Sequence, residues 1–173
     1  YLDKILLFTF VGSAQLAVYS FAVLLPEQIK GVIENINELA LPKLAPKTQE
    51  EIKATIMKKL IKIALLAGAV IASYILVAPY IYKFLFPQYL ASIPYSQAFM
   101  ITFISLPTIF LSTVFQAKMM KKELYALKFI VSSSRIILFL VLIPLYGLWG
   151  VIIANIGSEV ISSSATLFLF RRL

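Results

Sequence analysis

The chain has 173 residues, 61% of them hydrophobic and 14% charged, with a mean hydropathy of +0.92. A soluble domain is about half apolar and about a quarter charged, so this excess of apolar side chains points to an integral membrane protein. There is no Cys and no His, which excludes disulfides, thiolate chemistry and the commonest general base and metal ligand.

Tyr1–Val11 is apolar but too short to span a bilayer, which takes about 20 residues. It reads as the tail of a truncated helix, so the chain is expected to be a fragment lacking an N-terminal portion. Gly12–Ala14 is a break of small residues. The first full span is expected at 15–41, with a polar second half. Pro42–Lys47 ("PKLAPK") is a loop. Thr48 opens "TQEE", a capping box with Glu51 at its third helical position. The turns that follow are amphipathic, with Ile52, Ile56, Leu60 and Ile63 on one face, as in a helix start lying in the headgroup layer. The second span (56–86) ends in the aromatic-rich "PYIYKFLFPQY". The third (94–115) is interrupted by Pro107, and the fourth and fifth (126–143 and 148–170) join through the tight turn "PLYG". The fold class expected is all-α: a polytopic membrane helix bundle over 1–173, one truncated helix plus five transmembrane helices. Helices are obligatory because hydrocarbon does not tolerate unpaired backbone groups. The alternating segments of a β-barrel, about ten residues each, are absent from the sequence.

The net charge is +8, and its distribution says what it is for. Lys43, Lys47, Lys53, Lys58, Lys59 and Lys62 form one cluster; Lys118, Lys121, Lys122 and Lys128 form a second; Arg171 and Arg172 form a third. These hold 12 of the 16 basic residues, whereas the intervening loops, 86–97 and 144–147, hold none. By the positive-inside rule the basic regions and the C-terminus are cytoplasmic and the other two loops are outside. The positive charge then serves topology and attraction to anionic membrane lipids, and nucleic acid is not a partner.

Charged residues within spans are costly and mark functional sites by default. Glu27, Lys30, Glu34 and Glu38 fall within roughly an 80° sector of the first full span, with Ser20 in the same sector. Two alternatives stand beside a functional stripe: self-compensation through Glu27–Lys30 and Lys30–Glu34 pairs, or early exit of this half from the bilayer. Asn155, Ser158, Glu159, Ser162 and Thr166 cover roughly a 100° face of the last span. In the span before it stands "SSSR", Ser132–Arg135. Arg135 lies about 12 Å and Glu159 about 16 Å from the cytoplasmic ends of their helices. These are antiparallel neighbours, so an Arg135–Glu159 pair is expected, with Asn155 and Ser158 filling the remaining hydrogen-bonding sites of the carboxylate. The pair is either a clamp between helices or a substrate contact. The serines serve equally as interhelical packing groups. The candidate cavity residues are therefore Glu27, Lys30, Glu34, Arg135, Asn155 and Glu159. No Ser–His pairing, HExxH or P-loop occurs, so neither an enzyme, a cofactor nor a metal site is expected.

Four stretches occur in a telling order: "YLDKILLFTFVGSAQLAVYSFA" (1–22), "LPKLA" (41–45), "FPQYLASIPYSQAF" (86–99) and "LIPLYGLWGVIIANIGSEVIS" (142–162). They resemble the C-terminal half of bacterial polysaccharide-biosynthesis flippases of the multidrug/oligosaccharidyl-lipid/polysaccharide exporter superfamily. The matching positions are Asp3, Tyr19-Ser20, Leu41-Pro42, Phe86-Pro87-Gln88-Tyr89 and Ile143-Pro144-x-Tyr146-Gly147-x-x-Gly150. The resemblance implies a transporter of two lobes, this chain being the second and the N-terminal lobe missing. It implies a multi-pass protein of the inner (plasma) membrane that moves an undecaprenyl-diphosphate-linked oligosaccharide to the outer leaflet by alternating access. The acid-rich stripe Glu27–Glu38 departs from the cationic cavity that a diphosphate calls for. Other readings are a cation-coupled drug extruder of the same superfamily and a membrane scaffold that transports nothing. A membrane glycosyltransferase would need catalytic groups that the sequence lacks.

Overall fold

Gly12 closes the first helix, α1 (Leu2–Val11), with a φ of 98°, a conformation glycine adopts at little cost. Its amide bonds the carbonyls of Leu7 and Phe8, and its carbonyl accepts from Leu16 N of the next helix, α2 (Ser13–Glu38). The break of small residues is thus a corner between two helices. The structure, a computed structural model, describes residues 1–38, 49–117 and 119–171. The expected loop Pro42–Lys47, the Thr48 cap, Lys118 and Arg172 lie outside these residues, as do the side chains of 37–38, 49–58 and 171.

Helix α3 runs from Gln49 to Leu85. Its 37 residues make a rod of roughly 55 Å, longer than the hydrocarbon core of about 30 Å. The segment 86–97, expected as an outer loop, is instead helical from Pro87. A 3₁₀ stretch (Pro87–Ser92) leads into α4 (Ile93–Phe99), with a kink at Tyr89. Pro87 and Pro94 both sit in first turns, where a missing N–H costs nothing. They start helices here rather than break one. The turn also packs: the Tyr89 ring stacks on Phe21 of α2 at 3.6 Å between centroids.

A second 3₁₀ stretch, Met100–Ser105, precedes α5 (Leu106–Ala117). Its cause is Pro107, which has no N–H for the Phe103 carbonyl and whose ring crowds it. The Phe103 carbonyl takes the Leu106 N–H instead, and hydroxyls add bonds along the distorted ladder. Thr102, Ser105 and Thr108 donate to the carbonyls of Phe99, Thr102 and Ser105 at 2.7–2.8 Å.

Helices α6 (Lys121–Tyr146) and α7 (Leu148–Arg171) form a hairpin with Gly147 as its turn. The fourth span was expected to stop at Ile143, but α6 continues through Pro144 to Tyr146. Both glycines of "GLWG" are then required. Gly147 has φ 57°, and a Cβ on Gly150 would collide with the carbonyl oxygen of Leu142.

The described residues are almost entirely helical, and five stretches are long and apolar enough to cross a membrane: Ser13–Ile36, Lys59–Leu85, Pro87–Ala117, Lys121–Tyr146 and Leu148–Phe170. Pro87–Ala117 is the most buried of the five and Lys59–Leu85 the least. The surface of the outer helices is correspondingly apolar, with Leu65, Leu76 and Phe129 each at least 70% exposed. Lipid is the solvent for such a face. The two ends of the bundle differ. At one, Tyr95 meets the single Trp149 (4.9 Å between centroids), while Tyr80, Phe84 and Tyr146 stand exposed, as in an interfacial aromatic belt. At the other, Phe115 meets Phe170, and Lys59 lies over the ring of Phe110.

Candidate functional site

The helix packing brings three of the six candidate residues onto one carboxylate oxygen. Arg135 of α6 reaches Glu159 Oε1 of α7 with its terminal nitrogen at 3.4 Å, the pair expected from matched depth. Lys30 of α2 reaches the same oxygen at 3.1 Å. Lys30 therefore pairs across the bundle and makes no ion pair with Glu27 or Glu34 of its own helix. The self-compensating stripe is not formed, because a flexible Lys stem does better against a buried carboxylate than against two solvated ones. Glu27 and Glu34 are exposed. Depth was compatible with a Lys30–Glu159 pair, since Lys30 lies about 16 Å from the end of the stretch 15–41, the depth inferred for Glu159, but depth does not say which helices meet.

The neighbours of Glu159 do not fill its remaining sites. Asn155 donates to the Val151 carbonyl of its own helix (2.9 Å), and Ser158 donates to the Asn155 carbonyl (2.8 Å). Ser158 also accepts from Arg135 Nε at 3.2 Å, so it orients the guanidinium, not the carboxylate. A short polar side chain on a helix bonds most readily to the preceding turn, and that local bond wins here. Among the described residues Glu159 Oε2 has no hydrogen-bond partner, both cations being on Oε1, and Glu159 lines the cavity beside it.

Two cavities flank the cluster, and Arg135 borders both. One, of about 330 Å³, is lined by Lys30, Glu34, Gln116, Arg135, Glu159 and Ser162 among others. The other, of about 360 Å³, is lined by Asp3, Tyr19, Glu27, Ser132, Arg135 and Asn155 among others. Each of the six candidates lines one or both of these cavities, which share Arg135 and together form the candidate cleft. Tyr19, fully buried, donates to Asp3 Oδ2 at 2.6 Å and ties α1 to α2. Composition and spacing did not mark this bond, because a Tyr and an Asp 16 residues apart share no periodicity.

A second polar network, away from the cleft, also escaped sequence reasoning. Ser96 Oγ lies 2.5 Å from the Tyr74 hydroxyl and 3.1 Å from that of Tyr82. Tyr82 donates to the Phe21 carbonyl at 2.7 Å, and Ser92 donates to the Val18 carbonyl at 2.8 Å. Phe21 O neighbours the Ala22 carbonyl, which loses its helical donor at Pro26. Tyr74 and Tyr82 are eight residues apart on one face of α3, a spacing that reads equally as core.

No protein-family model, no curated protein and no solved structure matches this chain.

Proposed function

We propose that this chain is the second lobe of a two-lobe transporter that moves an undecaprenyl-diphosphate-linked oligosaccharide across the plasma membrane by alternating access. The Lys30–Glu159–Arg135 cluster lies in its path. The observation that carries this reading is the cleft itself: two cations and a carboxylate from three helices meet at mid-span between two cavities. Apolar helices keep ionised groups at this depth only at a cost, and in water-lined cavities. The substrate class comes from the resemblance of the four sequence stretches to polysaccharide-biosynthesis flippases. In this reading the lysine-rich end and the C-terminus face the cytoplasm, the aromatic end faces outward, and the missing lobe covers the exposed Glu27 and Glu34.

Export of surface polysaccharide from cells whose own copy of the full-length gene is deleted tests the function. The wild-type gene is expected to restore it and Arg135→Ala to restore little. Restoration of drug resistance without polysaccharide would replace this reading with the drug extruder, which the acidic lining of the larger cavity (Asp3, Glu27) favours. The topology has its own test. A cysteine at Lys121 is expected to resist an impermeant thiol reagent added outside sealed cells, and fast labelling there would invert the orientation.

A further inference from the structure

We propose that Glu159 is an exchangeable counterion: a phosphate-type oxyanion takes its place between Lys30 and Arg135, and the exchange breaks the link from α2 to α7. The inference rests on the reading that an anionic group travels this cleft, and it assigns what ties α2 to α7 there and what releases the tie.

Three features of the cluster support exchange. The first is donor surplus. Lys30 carries three N–H groups and Arg135 five. Their bonds to Glu159 and Ser158 use one of the first and two of the second. Two N–H groups of Lys30 and three of Arg135 remain without a partner among the described residues. A phosphate has more acceptor oxygens than Glu159 offers, and charge-assisted bonds to them are the strong kind. The second feature is access. The Lys30 and Arg135 side chains are 27% and 39% exposed, the Glu159 side chain 10%. Both cations line the cavity of about 330 Å³, and so does Glu159.

The third feature is charge, and it decides between addition and exchange. The cavity is lined by Lys30 and Arg135 against Glu34 and Glu159, with Asp3 and Glu27 in the adjoining cavity. An anion added to this balanced set meets as much repulsion as attraction. An anion that displaces Glu159 inherits both cations and faces in the same cavity the exposed carboxylate of Glu34, whose field is screened; Asp3 of the adjoining cavity already holds the Tyr19 hydroxyl and the N-terminal ammonium. Once displaced, Glu159 no longer holds Lys30, and the bond of 3.1 Å from α2 to α7 is gone. Arg135, which borders both cavities, turns toward the ligand.

Pyrophosphate binding to the purified full-length protein in detergent tests this directly. Glu159→Gln removes the competitor and is expected to tighten pyrophosphate binding about tenfold or more. Glu34→Gln removes a carboxylate of the same cavity that holds no cation, and is expected to change it by less than about threefold. Equal gains for the two variants, or no gain for Glu159→Gln, would overturn the exchange. Should Glu159→Gln fail to fold, the wild type still decides. Spin labels at Val32 and Val160, both more than half exposed, are expected to move apart at saturating pyrophosphate, and an unchanged distance overturns the proposal. A parallel titration uses undecaprenyl diphosphate in nanodiscs of phosphatidylcholine. A gain for free pyrophosphate alone keeps the exchange and removes the lipid-linked substrate. A gain for neither removes the exchange, whatever polysaccharide export reads.

Discussion

Toward the aromatic end, α2 is tied to α3 and the turn after it by neutral hydroxyls; nearer the lysine end it is tied to α7 by charge. At the first site Tyr82 and Ser92 donate to the carbonyls of Phe21 and Val18, and Ser96 joins Tyr82 to Tyr74. Ser92 and Ser96 are fully buried, so no water competes for these bonds. At the second site Lys30 holds Glu159 beside two cavities. An ion pair at the edge of water has an alternative partner within reach, whereas a hydroxyl in a dry interface has none. The difference teaches that one half of α2 is fastened and the other is latched. The inner span repeats the pattern. Below Ser96 its hydroxyls bond back to their own helix, and Thr108–Ser163 is the cross-helix hydroxyl bond from α5 to α7. Helices whose polar groups are satisfied internally can slide past one another with little to break.

The comparison breaks most severely at the hairpin that closes the fastened end. Gly150→Ala places a Cβ on the Leu142 backbone, which cannot rotate away as a side chain would. The expected loss is about 3 kcal/mol or more, read as a collapse of folded yield on size-exclusion chromatography. A monodisperse variant with unchanged melting temperature would show that the corner is loose.

Glu159→Gln acts on the latched half and leaves two cations facing each other. Breaking a buried pair costs roughly 3–5 kcal/mol, and the partial exposure of Lys30 and Arg135 discounts this to about 1–3 kcal/mol. Removing one of the cations is expected to return part of the loss. Lys30→Gln should rescue more than Arg135→Gln, because Lys30 is the closer and less exposed partner, while Arg135 keeps Ser158. Melting temperatures of the three variants and two double variants check the order. Equal rescue by both cations would mean that the cluster is solvated throughout.

Tyr82→Phe removes a donor that serves the Phe21 carbonyl and borders Ser96, at about 1–2 kcal/mol. Tyr74→Phe removes one of two hydroxyls around Ser96, at about 1 kcal/mol or less. Neither is expected to alter pyrophosphate binding, which would sharpen the contrast between fastening and latch. A binding change as large as that of Glu159→Gln would show instead that the two networks are coupled.

Much was legible along the chain. Long apolar runs demand helices in lipid for want of any other donor or acceptor, and Gly12, Gly147 and Pro107 mark where those helices turn or distort. Depth counting along adjacent antiparallel helices placed Arg135 beside Glu159, since a short turn leaves little freedom of register. What it could not supply was any relation between helices distant in sequence. Lys30 and Glu159 are 129 residues apart, and which face of α2 meets α7 depends on how every intervening helix packs. The same holds for Ser96 between two tyrosines, and for Asn155 and Ser158, whose bonds to their own helix no polarity pattern separates from bonds to Glu159. Composition and periodicity therefore determined the class of structure and the depth of each charge. Only the tertiary packing decided which charges share an oxygen, because ion pairs and hydrogen bonds act over about 3 Å while periodicity fixes only the direction in which a side chain leaves its helix.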